Sequence, residues 1–229
     1  NILGCNVTVP YKNAVIPYLT EVDELAAKMG SVNTLVRTQT GYKGYNTDMT
    51  GLYRAMCSDG VSIEGEQVVV LGAGGVGRAV AFMCAAKGAE KVWLLNRTLD
   101  KAQTVAEEVN RAEKRQCVCA LAIDEYGKLP DRKYLVIQST SVGLYPHVND
   151  AVITDAAFYQ KVKAGYDLIY RPWETRFMKL VKAQGAPAYN GLKMLLYQGV
   201  EAFEMWNQCK IEDESAYKLY ELLKTAVVQ

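Results

Sequence analysis

Residues 67–77, Gln67-Val68-Val69-Val70-Leu71-Gly72-Ala73-Gly74-Gly75-Val76-Gly77, decide the fold. An apolar, largely β-branched run enters a glycine-rich turn, a helical pattern follows over 76–87, and a second apolar run, Lys91-Val92-Trp93-Leu94-Leu95, ends in Asn96-Arg97-Thr98. A glycine fingerprint set between a strand and a helix, with another strand after the helix, is the pattern of a dinucleotide-binding turn. Gly72 takes the tight turn, Gly74 lets the backbone approach a pyrophosphate, and Gly77 allows close packing of helix on strand. Ala73, Gly75 and Val76 fill the rest of the loop. It leads into a helix N-terminus whose unpaired N–H groups and positive dipole end suit phosphate.

The end of the second strand bears on which dinucleotide. An Asp or Glu about 20 residues beyond the glycines would accept from the ribose hydroxyls and favour NAD. Asn96-Arg97 stands there instead. No carboxylate repels a 2′-phosphate, and a guanidinium can grip one through two parallel hydrogen bonds. NADP is the expected cofactor, with Asn96, Arg97 and Thr98 at its adenosine end; elsewhere in a chain an arginine like Arg97 would read as a solvated loop cation.

Outward from this unit, strands are expected near 91–95, 116–121, 134–138, 165–169 and 186–189, with helices near 76–87, 99–112 and 174–184. Alternating strands and helices, with nearly continuous apolar strands, imply an α/β fold: a Rossmann-type doubly wound parallel sheet covered on both faces. Before it, residues 1–9 and 32–38 read as strands, 10–19 and 21–29 as helical turns, and 41–44 as a turn. A helix over 49–58 is capped by Thr47 or Asp48. After it, 191–208 and 213–226 read as amphipathic helices. The expected organisation is a substrate lobe over 1–50, a cofactor domain over 51–190, and C-terminal helices over 191–229 that pack back on the lobe. Ligands of such sheets bind outside the carboxyl ends of the strands, so the reaction is expected in a cleft between the two parts.

Composition narrows the partners. The 229 residues carry 26 basic and 25 acidic side chains, which excludes the strongly basic surface of a nucleic-acid or membrane binder and leaves small molecules as the expected partners. Six cysteines without a CxxC pair, and one histidine, suggest neither a metal site nor a disulfide framework, so a reduced, cytoplasmic setting is expected. No run approaches the roughly 18 apolar residues of a membrane span.

Several further segments carry chemistry: Asn6-Val7-Thr8-Val9-Pro10-Tyr11-Lys12, Val32-Asn33-Thr34, Gly44-Tyr45-Asn46-Thr47-Asp48, Ser139-Thr140-Ser141-Val142-Gly143 and Gly191-Leu192-Lys193-Met194-Leu195-Leu196-Tyr197-Gln198. With the glycine loop and Asn96-Arg97-Thr98, and in this order, the chain resembles the shikimate dehydrogenase family over essentially its whole length. The resemblance implies reversible, NADP-linked reduction of 3-dehydroshikimate to shikimate, on the route to aromatic amino acids, by a monomer or homodimer. It implies Lys12 and Asp48 as the catalytic pair, and Thr8, Asn33, Tyr170 and Gln198 as binders of substrate hydroxyls and carboxylate. Lys101, Leu168 and Gly191 complete the cofactor set.

The chemistry suits those residues. Hydride addition to a ketone puts negative charge on oxygen, and an ammonium that stabilises the charge and can give a proton is what the step requires. Lys12 can do this, and Asp48 can orient it and hold a substrate hydroxyl. Singly, Lys12 reads as a surface lysine after a proline turn, Asp48 as a helix cap, and Gln198 as one polar residue on a buried helix; their joint order argues against those readings. Ser139-Thr140-Ser141 can line the cofactor through backbone groups but lacks the partners of a nucleophile triad, and His147 reads as a solvated loop residue. Relative to the family, the chain is expected to be N-terminally incomplete, lacking a segment with a serine pair for the substrate carboxylate. Tyr170-Arg171-Pro172-Trp173 adds a cation and a bulky ring that bear on selectivity. Two alternatives remain: a quinate/shikimate dehydrogenase using NAD, and a catalytically silent NADP-binding module.

Overall fold

The computed structural model describes residues 2–228. The chain divides into two compact units, one formed up to Asp59 and again from Lys193, the other by Gly60–Leu192.

The first unit opens with β1 (Gly4–Asn6), β2 (Glu21–Val22), α1 (Glu24–Met29), β3 (Thr34–Arg37), β4 (Tyr42–Tyr45) and α2 (Thr47–Ser58). Its four strands lie in the order β1-β3-β4-β2, with β3 antiparallel to both β1 and β4, and β2 parallel to β4. Residues 42–44, expected within a turn over 41–44, thus belong to a strand that runs on to Tyr45. The turn is confined to residues 38–41, closed by Thr38 N–H donating to Gly41 O at 2.8 Å. Gly44 is a packing glycine: a Cβ there would lie 2.5 Å from Leu19 Cδ1. The helical stretch expected over 21–29 divides at Asp23, whose carboxylate accepts from Leu25 N and Ala26 N and caps α1.

The second unit contains β5 (Gln67–Leu71), α3 (Gly75–Ala86), β6 (Lys91–Asn96), α4 (Leu99–Ala112), β7 (Val118–Ala122), β8 (Tyr134–Gln138), α5 (Ala156–Tyr159), β9 (Val162–Asp167), α6 (Arg176–Ala183) and β10 (Ala188–Tyr189). All six strands are parallel, in the order β10-β9-β8-β5-β6-β7. The order reverses at β5/β8, which is where a doubly wound sheet opens its ligand crevice. β5 and β8 are buried along their whole length, as expected of strands covered on both faces. Val69, Leu71, Tyr134, Val136, Phe158, Tyr159, Phe177 and Val181 build the core on one side of this sheet. β9 ends earlier than the apolar pattern suggests, because the Asp167 side chain takes the Ile169 amide at 3.0 Å and turns the chain out of the ladder.

The first unit is completed by α7 (Leu192–Asn207) and α8 (Asp213–Val228). Trp206 Nε1 donates to Leu35 O at 2.9 Å, and Arg54 on α2 reaches both carboxylate oxygens of Glu204 at 3.1 and 3.2 Å.

Candidate active site

In the first unit, the loop after β1 and the start of α2 hold the central pair. Lys12 O accepts from Val32 N at 2.8 Å, which ties the lysine backbone to the segment entering β3. Its Nζ donates to Asp48 Oδ2 at 2.7 Å, with both side chains about a quarter exposed, at 25% and 22%. Asp48 is free for this contact because it is not the helix cap. Asn46 caps α2 instead, its Oδ1 accepting from Met49 N at 3.2 Å while its Nδ2 donates to Ser31 O at 2.9 Å. Asp48 stands in the first turn, where the helix dipole favours a carboxylate.

Asn33 is fixed in one orientation. Its Oδ1 accepts from Thr47 N at 2.7 Å, a backbone donor that cannot reverse, and also from the hydroxyls of Thr34 at 3.1 Å and Thr47 at 3.2 Å. The amide Nδ2 of this buried residue has no protein acceptor among the described residues. Behind it, Asn6 Nδ2 donates to Thr34 Oγ1 at 3.1 Å, and the hydroxyls of Thr34 and Thr47 lie 2.9 Å apart. Thr8 is exposed, with Tyr11 N donating to its carbonyl at 2.9 Å. Gln198 lies half-buried on α7. A Cβ on Gly51 would fall 2.5 Å from Gln198 N, so α2 and α7 touch backbone to backbone within one turn of Asp48. One turn beyond Gln198, Glu201 accepts from the Thr50 hydroxyl, and burial holds its carboxyl above the usual range.

The second unit carries the residues that the sequence assigns to the cofactor. A Cβ on Gly77 would lie 2.0 Å from Gly72 O, so only glycine lets α3 sit this close to the end of β5, and Gly72 has a left-handed φ of 104°. Cβ atoms at Gly74 or Gly75 would meet nothing within 4 Å, so the face of the turn is open to a ligand. Gly74 caps α3 without a side-chain partner, leaving the first amides of the helix for an anion. Asn96 has a structural task the sequence did not disclose: its Oδ1 accepts from Ala73 N at 3.1 Å and its Nδ2 donates to Thr98 O at 2.8 Å, clamping the glycine turn to the end of β6. Arg97, Thr98 and Lys101 are exposed beside this clamp.

At the carboxyl ends of β8 and β9 a relay of buried polar side chains joins two loops. Gln138 Oε1 accepts from Thr140 N at 2.6 Å, and its Nε2 donates to Thr140 O, Val142 O and Asp167 Oδ1 at 3.3, 3.2 and 3.3 Å. Asp167 Oδ2 accepts from the Thr175 hydroxyl at 2.6 Å, and Thr175 in turn caps α6. Asp167 is fully buried, and burial pushes its carboxyl up to about 6 against these three stabilising hydrogen bonds. Leu168 N donates to Gln138 O at 3.0 Å, and a Cβ on Gly191 would meet Leu168 O at 2.2 Å. Tyr170 is exposed in the loop that follows β9, and so belongs to the second unit, whereas Thr8, Lys12, Asn33, Asp48 and Gln198 belong to the first. The relay escaped sequence reading, although a Gln and an Asp closing otherwise apolar strands were its visible signal. His147 is exposed, 3.8 Å from Asp150. Among the described residues no three metal-ligating side chains cluster, and no helix is long and apolar enough to cross a membrane.

Two family descriptions match the chain: "Shikimate dehydrogenase substrate binding domain" over residues 1–35 and "Shikimate / quinate 5-dehydrogenase" over residues 56–158. A shikimate dehydrogenase (NADP(+)) of Halothermothrix orenii is 40% identical over 216 residues, which is 93% of this chain and 74% of the relative. Among solved structures, shikimate 5-dehydrogenase from Listeria monocytogenes in complex with shikimate and NAD superposes with a TM-score of 0.87 at 28% identity, covering 96% of this chain and 78% of that one. Quinate dehydrogenase from Corynebacterium glutamicum in complex with NAD superposes with a TM-score of 0.86 at 30% identity, covering 98% and 78%.

Proposed function

The chain belongs to the shikimate dehydrogenase family, and from that premise we propose that it is an NADP-dependent shikimate dehydrogenase, reversibly reducing 3-dehydroshikimate to shikimate. The observation that carries this reading is the 2.7 Å Lys12–Asp48 pair, with the neighbouring Thr47 amide held by an Asn33 whose Nδ2 has no acceptor among the described residues. A substrate with several hydroxyls and one ketone matches that set. Asn33 Nδ2 donates to a hydroxyl, Asp48 accepts from another, and the Lys12 ammonium meets the oxygen on which charge develops. The pair shares one hydrogen-bonded proton between Nζ and Oδ2, so the product hydroxyl is completed from this pair. Thr8, Gln198 and Tyr170 supply the remaining polar contacts to substrate, including those to its carboxylate.

The second unit fits a 2′-phosphorylated dinucleotide. The open glycine turn and the free amides at the start of α3 receive the pyrophosphate, and Arg97, with Thr98 and Lys101, receives the 2′-phosphate. Leu168 and Gly191 lie at the carboxyl edge that serves the other half of the cofactor. NADPH, when bound, supplies the hydride. With the six cysteines as free thiols, we place the enzyme in the cytoplasm, as a monomer or homodimer.

The test is shikimate-dependent reduction of NADP⁺ followed by NADPH absorbance, with quinate and NAD⁺ as comparators because related proteins bind NAD. Turnover that prefers shikimate and NADP⁺ supports the reading. A preference for NAD⁺ with quinate would replace it by the quinate reading, and tight NADP binding without turnover would make the chain a silent binding module.

A further inference from the structure

The buried relay Gln138–Asp167–Thr175 has no place in the reaction chemistry, yet it is built with more hydrogen bonds than a strand end requires. Every polar atom of the Asp167 carboxylate and the Gln138 amide is used. Oδ1 of Asp167 takes Gln138 Nε2 and the Ile169 amide, Oδ2 takes the Thr175 hydroxyl, and Gln138 spends its other contacts on the backbone of Thr140 and Val142. The relay thereby sets the path of two loops at once: 139–143 after β8 and 168–175 after β9.

Both loops stand at the crevice. Ser139 Oγ donates to Leu71 O at 2.7 Å, and a Cβ on Gly72 would lie 2.6 Å from Thr140 Cγ2, so the loop after β8 packs directly on the dinucleotide turn. The loop after β9 carries Leu168 and Tyr170, and it is joined to the end of β10 by Gly191 N donating to Ile169 O at 3.0 Å. The adenosine half of the cofactor has its own determinants on the other side of the switch point, at β5 and β6. The two halves of a dinucleotide are therefore held by separate sets of residues within one sheet.

We propose that Thr175 and Asp167 are positioning residues for the nicotinamide half of the cofactor: their hydrogen bond, passed through Gln138, holds the loops after β8 and β9 in the shape that receives it, without touching the adenosine half. This rests on the reading of the second unit as an NADP site. The hydroxyl of Thr175 is the handle: Thr175→Val keeps the side-chain shape while withdrawing both the donor to a buried carboxylate and the cap of α6, and Thr175→Ser restores both.

The experiment compares two probes on the full chain: NADPH, followed by its own fluorescence, and adenosine 2′,5′-bisphosphate, which carries only the adenosine half, followed by calorimetry. For Thr175→Val the expected result is NADPH binding weakened about tenfold, as for loss of a hydrogen bond to a charged group. Adenosine 2′,5′-bisphosphate binding stays unchanged, and Thr175→Ser stays close to the unsubstituted protein with both probes. Equal weakening of both probes would reveal a general loss of structure and overturn the positioning role, as would no change in either. If the unsubstituted chain binds both probes, the NADP site stands whatever the variants do; if it binds neither, the NADP reading and this inference fall together.

Discussion

Lys12 and Asp48 differ from the surface ion pairs of the chain in how they are held. Lys218–Glu214 and Lys28–Glu24 join neighbours on single helices, where such pairs add only a few tenths of a kcal/mol. Lys12 and Asp48 are 36 positions apart, one fixed through Val32 N and the other by a helix start that Asn46 caps. If the pair acts on the reacting oxygen, Lys12→Ala lowers kcat by roughly 10²–10³ while NADPH affinity holds, as for removal of a charge-stabilising donor. A variant with intact kcat would remove Lys12 from the reaction. Asn33→Asp keeps an oxygen for Thr47 N and removes the amide donors, so KM for shikimate should rise about tenfold or more. An unchanged KM would mean that Asn33 is purely structural. At this scale the candidate residues were legible because they come in a fixed order. The hydrogen bonds that orient them were not: the pattern points to Thr47 or Asp48 as the cap, whereas Asn46 takes that place, its amide also held by Ser31 O.

At the scale of elements, the second unit was the more legible. Residues 68–71 and 134–137 are apolar on both faces, which only a sheet covered on both sides accommodates. The small sheet of the first unit was less so. Gly41-Tyr42-Lys43-Gly44 reads as a turn because of its glycines, but Gly44 is required by the approach of Leu19 and Val32, a contact from distant sequence. The glycine turn gives a graded prediction. Gly77→Ala drives a methyl to 2.0 Å from Gly72 O, so it should cost about 1–3 kcal/mol or more of stability and abolish NADPH binding, whereas Gly75→Ala meets nothing and should leave the fold intact. Equal behaviour of the two in chemical unfolding and NADPH titration would refute the packing argument.

For the molecule as a whole, pH is the simplest perturbation with a stated sign. Asp167 is carried to about 6 by burial, above its ordinary 3.8, so the folded protein holds that proton more tightly than the unfolded chain. Its contribution to stability is complete below about pH 4 and is lost as pH rises through 6, with a span of about 3 kcal/mol. Urea unfolding between pH 4.5 and 7.5 should show the wild type losing stability relative to Asp167→Asn across that interval; parallel curves would refute the assignment.

The first unit is discontinuous: its sheet lies before Asp59, and the helix that supplies Trp206 to Leu35, and Glu204 to Arg54, comes after Lys193. During synthesis the ribosome delivers the 133 residues of Gly60–Leu192 between these two parts. The second unit, continuous in the chain, can fold as it emerges, but Leu35 and Arg54 must wait for partners not yet translated. A chain truncated after residue 192 and released should therefore already protect the parallel sheet from protease while the segment carrying Lys12 and Asp48 is still cut.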